Sequence, residues 1–470
     1  MSGASRFYGV CFFGTTVLLA IAGWLELNGF LSDNAVRLWS KAILQMDGPP
    51  GFRSSEALYP PLPFLASMIL HSLIGANSIP VPTLFAAICG GVLAALAYQK
   101  LRDEADYARL TAVFLVALTI LNPMFLFAIS ETPELATLCL GAWIFATGLT
   151  QLRQRGNAPD MMKVGLGLMI MGLSSTYGLL ICLASIPFLA LVVPPRMLMV
   201  SPLGTILAVV FPAICAVGSL LLISIIFDTP LVATQISADR QNSLASVLIA
   251  MLTAASAALL LVIVSRKSWS ETVPLFAALG TFAGGMILDF HIGYLGDPVK
   301  TAAPLLILAP VSACLCAPKS LRGPIVVAIF AFSWVIGGAL IVKSDQVDHD
   351  RWLSAVRGDL PKDFDVSQVA AFLKGEAGVL LDAERNPELV LALGGIDNLI
   401  VAGSPEFETV VLGGRPEHAF VVIKNDPEAS ANTGRLKRRF PEVASLTSHG
   451  YSLVFERGSW MVFERQFFLN

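Results

Sequence analysis

Apolar runs long enough to cross a bilayer recur through the first 342 residues, and no other feature constrains the fold of this chain as strongly. A spanning helix needs roughly 20 mostly apolar residues, because backbone polar groups in hydrocarbon must find partners inside the protein. Such runs fall near residues 8–27, 80–98, 108–129, 134–151, 163–174, 178–193, 203–226, 244–265, 271–288, 300–316 and 323–342. The pattern predicts an α-helical polytopic membrane protein with about eleven spans. The runs at 163–174 and 178–193 are short and separated only by Ser174–Tyr177, so one interrupted helix pair is an alternative reading there. Residues 8–27 exceed the length of a signal-peptide core and no small-x-small cleavage site follows, which predicts an uncleaved first span.

Beyond residue 344 the chain changes character. Residues are 55% hydrophobic and 14% charged over the whole sequence, yet Asp345–Asn470 carries 13 of the 31 Lys and Arg residues. This divides the chain into a membrane domain, 1–344, and a soluble domain, 345–470. In the second, the β-like runs GVLLDA, NLIVAG, HAFVVIKN, YSLVFE and WMVFER alternate with pieces such as PELVLALGG and RLKRRFPEVASL, which predicts a small α/β domain. Gly450 and Gly458 bracket an expected closing hairpin. All seven cysteines lie in apolar runs, none at metal-ligand spacing from a His, and read as small core hydrophobes. A net charge of −3 offers nothing to a nucleic acid.

Charge also sets sidedness. With the N-terminus cytoplasmic, the inner segments hold Arg6, Lys100, Arg102, Arg109, Arg153, Arg155, Lys163, Arg196, Arg266, Lys267, Lys319 and Arg322. The outer loops hold only Arg37, Lys41, Arg53, Arg240, Lys300 and Lys343. That bias follows the positive-inside rule, and an odd number of spans then makes the soluble domain extracytoplasmic. The first outer loop, 28–79, is long. In LSDNAVRLWSKAIL the apolar residues Ala35, Leu38, Trp39, Ile43 and Leu44 fall at helical spacing, predicting an amphipathic surface helix. After a Pro/Gly-rich break at residues 48–51, LYPPLPFLASMILHSLIG predicts a helix of about 14 residues, too short to cross and suited to the interface or to re-entry.

Ionisable residues at the ends of spans are costly and mark candidate sites. Asp33 follows the first span. Either it or Ser32 caps the surface helix, or its carboxylate does chemistry. Glu131 and Glu134 flank Pro133 in AISETPELATL, where helix-start chemistry, with Ser130 or Thr132 as cap, is the plain alternative. Further outer loops hold Asp228, Asp239 and Arg240, then Asp289, His291, Tyr294, Asp297 and Lys300. His291 between two Asp residues admits a divalent cation, although the spacing matches no established metal motif; an interfacial polar group is the plainer reading. No other cofactor is indicated. Lys300 or Arg240 suits a phosphate.

Four segments together resemble the C-type (GT-C) membrane glycosyltransferases, which include protein O-mannosyltransferases and lipid A aminoarabinose transferase. They are the long outer loop with Asp33 near its start, the YPPL helix beginning at Tyr59, LNPMFLFAISETPELATLCLGAWIFATGLTQLRQRG, and GYLGDPVKTAAPLLILAP. The tail, with HAFVVIKNDPE and YSLVFERGSWMVFER, is similar to those of bacterial members. Asn34 follows Asp33 where many relatives carry a second acid, and Lys300 stands where they often carry Arg. The resemblance implies a GT-C fold in a bacterial inner membrane. It implies transfer of a sugar from a polyprenyl-phosphate carrier to a lipid, polysaccharide or protein acceptor at the outer face, among membrane lipids. Asp33 and Glu131 would be catalytic, the first as base and the second as orienting group. Lys300, Arg240, Tyr59, Glu134 and His291 would bind substrate, and the anomeric centre would invert.

Two other readings fit part of the sequence. A secondary transporter or flippase would show internal repeats and polar or broken helices at mid-membrane, whereas these span centres are nearly free of charge. An inactive GT-C-like scaffold in cell-surface polysaccharide assembly fits the lone acid at position 33. The topology is testable directly: a reporter active only in the cytoplasm, fused after Asn470, is expected to stay silent. A strong signal would reverse the assigned sidedness.

Overall fold

The computed structural model describes residues 3–48, 60–75, 80–227, 269–292, 303–304, 322–342, 347–360, 364–425, 434–441 and 446–466. It is mostly helical, with apolar helices through the first part of the chain and a small sheet at its C-terminal end. The first helices are α1 (Gly3–Leu27), α2 (Asp33–Asp47), α3 (Pro61–Ile74) and α4 (Val81–Gln99), the last running into a π turn at Lys100–Glu104. Then come α5 (Arg109–Ile120), α6 (Pro123–Glu131), α7 (Pro133–Arg155), α8 (Ala158–Ser174), α9 (Thr176–Val192), α10 (Pro195–Val200) and α11 (Pro202–Phe227). The membrane part continues with α12 (Trp269–Ile292) and α13 (Arg322–Val342). Among the described residues four helices are long and apolar enough to cross a membrane: Ser5–Leu27, Val81–Glu104, Pro133–Arg155 and Pro202–Ile226. The α5–α6 pair would make a fifth span, bent by 57°. The expected span at 244–265 lies outside the described residues, as does that at 300–316 apart from residues 303–304.

Two Xaa-Pro steps shape the middle of the bundle. A residue before proline is pushed out of the helical region. Asn122 therefore ends α5, and its side chain caps α6 by accepting the Met124 N–H at 3.0 Å. The single run expected at 108–129 is thus two helices. The freed Asn122 amide also reaches Ser333 Oγ on α13 at 3.2 Å. Ten residues on, Thr132 is extended, with φ −160° and ψ 144°, and starts α7 just before Pro133. The short runs expected near 163–193 form α8 and α9, separated by the extended Ser175.

Helix packing here depends on small residues, as it does where lipid supplies no hydrophobic drive between helices. A Cβ on Gly167 of α8 would come within 2.6 Å of the Phe145 backbone nitrogen on α7. At Gly178, in the first turn of α9, a Cβ would lie 1.7 Å from the Met171 carbonyl. Phe125, Phe127, Phe145 and Phe282 fill the core.

The C-terminal part begins with α14 (Val347–Arg357) and α15 (Asp365–Leu373). Then follow β1 (Val379–Leu381), α16 (Pro387–Leu393), β2 (Leu399–Ile400), α17 (Pro405–Val411), β3 (Phe420–Lys424), α18 (Arg435–Arg439), β4 (Tyr451–Arg457) and β5 (Trp460–Arg465). The strand order is β2-β1-β3-β5-β4, with β1 parallel to β2 and β3, and β5 antiparallel to β3 and β4. These strands coincide with the five runs read from the sequence. Gly458, at φ +55°, begins the two-residue loop that joins β4 to β5. The apolar runs of β1 and β3 are buried on both faces, as parallel strands are.

A helix from the other end of the sequence packs on α16 and completes the core on that side of the sheet. Trp39, Ile43 and Leu44 of α2 share a core with Val379, Leu381, Val422, Trp460 and Val462. The amphipathic helix predicted after the first span therefore seats its apolar face against the C-terminal α/β part, with α16 as its neighbour there. Ile43 is 1% exposed. Ile43→Ala is expected to cost about 2–5 kcal/mol and to lower the melting temperature, while Arg37→Ala on the exposed face of α2 stays within about 0.5 kcal/mol. Equal melting of both variants would show that α2 does not support the sheet.

Candidate functional site

The helix start at Ser32 and the helix break at Thr132 meet. Ser32 is the N-cap of α2: its Oγ accepts the Ala35 N–H at 3.1 Å. The same hydroxyl donates to the backbone carbonyl of Glu131 in a short hydrogen bond. That carbonyl is available because Thr132 leaves the helix, so no amide one turn on can reach it. Two positions further, Asn34 Nδ2 donates to Glu131 Oε1 at 2.9 Å. The loop after α1 is thereby fastened to the end of α6 through both the backbone and the side chain of one acidic residue.

Two carboxylates in different environments result. Glu131 is 2% exposed and its carboxylate is oriented by Asn34. Asp33, between the two residues that hold Glu131, turns outward with a side chain 65% exposed. It is the first residue of α2 and not its cap, which separates the helix-start role from the carboxylate. Arg351 Nη1 on α14 donates to Asp33 Oδ1 at 3.0 Å and lies 3.6 Å from Asp348 Oδ1. The next residue, Trp352, donates its indole N–H to Ser130 Oγ at 2.8 Å. Phe127 sits edge-on to the rings of His349 and Trp352, with centroids 4.4 and 5.9 Å away. Helix α14, which leads into the soluble domain, is thus docked on the end of α6 beside both acids.

The arrangement brings together Asp33 and Glu131, the two residues singled out as catalytic. Glu134 lies across the break, half-buried in the first turn of α7, with its N–H 3.4 Å from the capping Thr132 Oγ1. His291 is exposed near the end of α12, two residues after the buried Asp289. Tyr59, Arg240 and Lys300 lie outside the described residues. Among the described residues no three His, Cys, Asp or Glu side chains are grouped to hold a metal ion. Sequence reasoning missed Asn34, Arg351 and Trp352. Asn34 stands out in the sequence only as the departure from the second acid of the related loops; Arg351 and Trp352 carry no motif.

The described fold is a bundle of apolar helices with a small α/β part seated on the loop after α1, and Asp33 and Glu131 lie at the junction. The chain is similar to the crystal structure of ArnT from Cupriavidus metallidurans bound to undecaprenyl phosphate, with a TM-score of 0.54 and 13% identity over 98% of this chain and 97% of that one. The same enzyme in the apo state aligns with a TM-score of 0.48 and 13% identity over 98% of both chains. No protein family and no curated protein matches the sequence itself.

The contact between Asn34 and Glu131 predicts a pH signature. In Asn34→Asp a second carboxylate replaces the amide donor, and two facing carboxylates cannot both ionise cheaply. The repulsion is present while both carboxylates are ionised and is relieved once the pair takes up a proton. The variant should therefore melt below wild type at pH 8 and approach it at pH 5. A deficit equal at both pH values would place Asn34 away from Glu131.

Proposed function

We propose that this chain is an integral-membrane glycosyltransferase that moves a sugar from a polyprenyl-phosphate donor to an acceptor at the outer face of the membrane. The observation that carries the reading is the meeting of Asp33 and Glu131, from elements about 100 residues apart, at one helix break. The ArnT-like fold supports it, as does the undecaprenyl phosphate bound by the similar ArnT structure. On this reading the soluble domain is extracytoplasmic and the membrane is a bacterial inner membrane.

The two carboxylates suit different tasks. Asp33 is exposed and can meet an incoming acceptor hydroxyl. As general base it takes the hydroxyl proton while the acceptor oxygen bonds to the anomeric carbon. The bond from that carbon to the phosphate oxygen breaks in the same step, and the phosphate departs with the electron pair. A single displacement inverts the centre. Glu131, buried and held by Asn34, is an acceptor of fixed orientation for a sugar hydroxyl. A cation near the phosphate stabilises the charge of the leaving group in a poorly hydrated site; Lys300 and Arg240 are the sequence candidates.

Asp33→Asn tests the reading cleanly, because Ser32 caps the helix and Asn is nearly isosteric with Asp. Transfer by the purified variant is expected to fall by roughly 10²–10⁴-fold, with the melting temperature kept near wild type. Undiminished turnover would remove Asp33 as the base.

A further inference from the structure

We propose that Arg351 receives the phosphate of the lipid donor, and that Asp33 clasps it until the donor arrives. The proposal deepens the transferase reading and rests on it. Its ground is the way α14 holds one arginine against the acid pair. His349 and Trp352 are buried against Phe127 and Ser130, so the backbone on either side of Arg351 is fixed. The Arg351 side chain between them is one-third exposed and reaches the exposed carboxylate of Asp33.

The guanidinium is partly committed. Among the described residues its contacts run through Nη1, to Asp33 and Asp348, which leaves Nε and Nη2 to donate. A planar fork with two such N–H groups matches two oxygens of one phosphate. The clasp is easily exchanged, because an ion pair with an exposed partner contributes little in water, whereas a bidentate contact to a phosphate at a membrane interface is stronger. Charge points the same way. Asp33, Glu131 and Asp348 gather negative charge where an anionic donor has to approach, and like charges at a contact are strongly disfavoured. Arg351 is the group that can turn from these acids towards the phosphate.

The exchange also orders the substrates. While Arg351 donates to Asp33 Oδ1, that oxygen is engaged. When the phosphate draws the guanidinium away, Oδ1 is released to accept the proton of the acceptor hydroxyl. Donor binding would then precede productive acceptor binding. Arg351 would be a donor-binding residue carried by the helix that leads into the soluble domain.

The experiment is equilibrium binding to the full-length protein in lipid nanodiscs, with undecaprenyl phosphate, its phosphate-free alcohol undecaprenol, and inorganic phosphate as probes. Arg351→Ala is expected to weaken undecaprenyl phosphate by roughly 10- to 100-fold and to leave undecaprenol unchanged. Arg351→Lys, which keeps the charge and loses the fork, should fall between and decides the matter if the Ala variant does not fold. Asp33→Asn should bind undecaprenyl phosphate more tightly than wild type, since the competing partner is gone. Wild-type affinity in both Arg351 variants, with no gain in Asp33→Asn, would make Arg351 a structural clasp and overturn the proposal while leaving the transferase reading intact. Equal binding of inorganic and lipid phosphate would overturn the donor assignment. Failure of wild type to distinguish undecaprenyl phosphate from undecaprenol would overturn the transferase reading itself.

Discussion

The hydrogen bond from Ser32 to the Glu131 carbonyl is the contact on which the rest of the arrangement depends. A helix that stops inside or beside a membrane releases carbonyls that water cannot easily serve, and they have to be paired within the protein. Pro133 forces such a stop after Glu131, and Ser32 supplies the partner. Because Ser32 is also the cap of α2, satisfying that carbonyl fixes where the surface helix starts and which way it runs. The neighbours of Ser32 then have little freedom: Asn34 falls on the Glu131 carboxylate and Asp33 faces out. A local need to pair one backbone oxygen thereby sets the distance between two functional side chains.

The same logic explains why the middle of the bundle is irregular. Asn122-Pro123 and Thr132-Pro133 each break the chain and each provide their own cap. The first break is bound to α13 through Ser333. The second is bound to α2 and α14 through Ser32 and Trp352. The short helix α6 between them is held at both ends, which keeps Glu131 rigid without any ligand. Glu131 is buried and held while Asp33 is exposed, which suits the roles proposed for them.

Much of this was legible in the sequence. The strand runs, the capped surface helix and the Pro133 break are written in local patterns, namely period-two alternation, Ser32 before a helical stripe, and a proline between two acids. Asp33 and Glu131 followed from those patterns and from a family resemblance. The bend at Asn122 was signalled by its proline, but the unbroken hydropathy around it masked the signal. Arg351 and Trp352 were not legible, because their importance lies in contacts across more than 200 residues and neither sits in a motif. The face of α2 was legible as apolar but its partner was not. Amphipathicity shows that a surface must be covered, and here the cover includes α16 of the C-terminal part where lipid was expected.

That shared core has a consequence for how the chain is made. Helix α2 leaves the ribosome among the first fifty residues, while the C-terminal elements whose core it shares, ending with Trp460–Arg465, are synthesised last. Through most of translation the part of its apolar stripe not covered by α3 and α4 has no protein partner, and the nearest apolar phase is the bilayer surface, where such helices bind reversibly. That part of the helix then has to be lifted from lipid onto α16 and the finished C-terminal core. Assembly of the site is therefore a late event in biogenesis, completed only when the two ends of the chain have met.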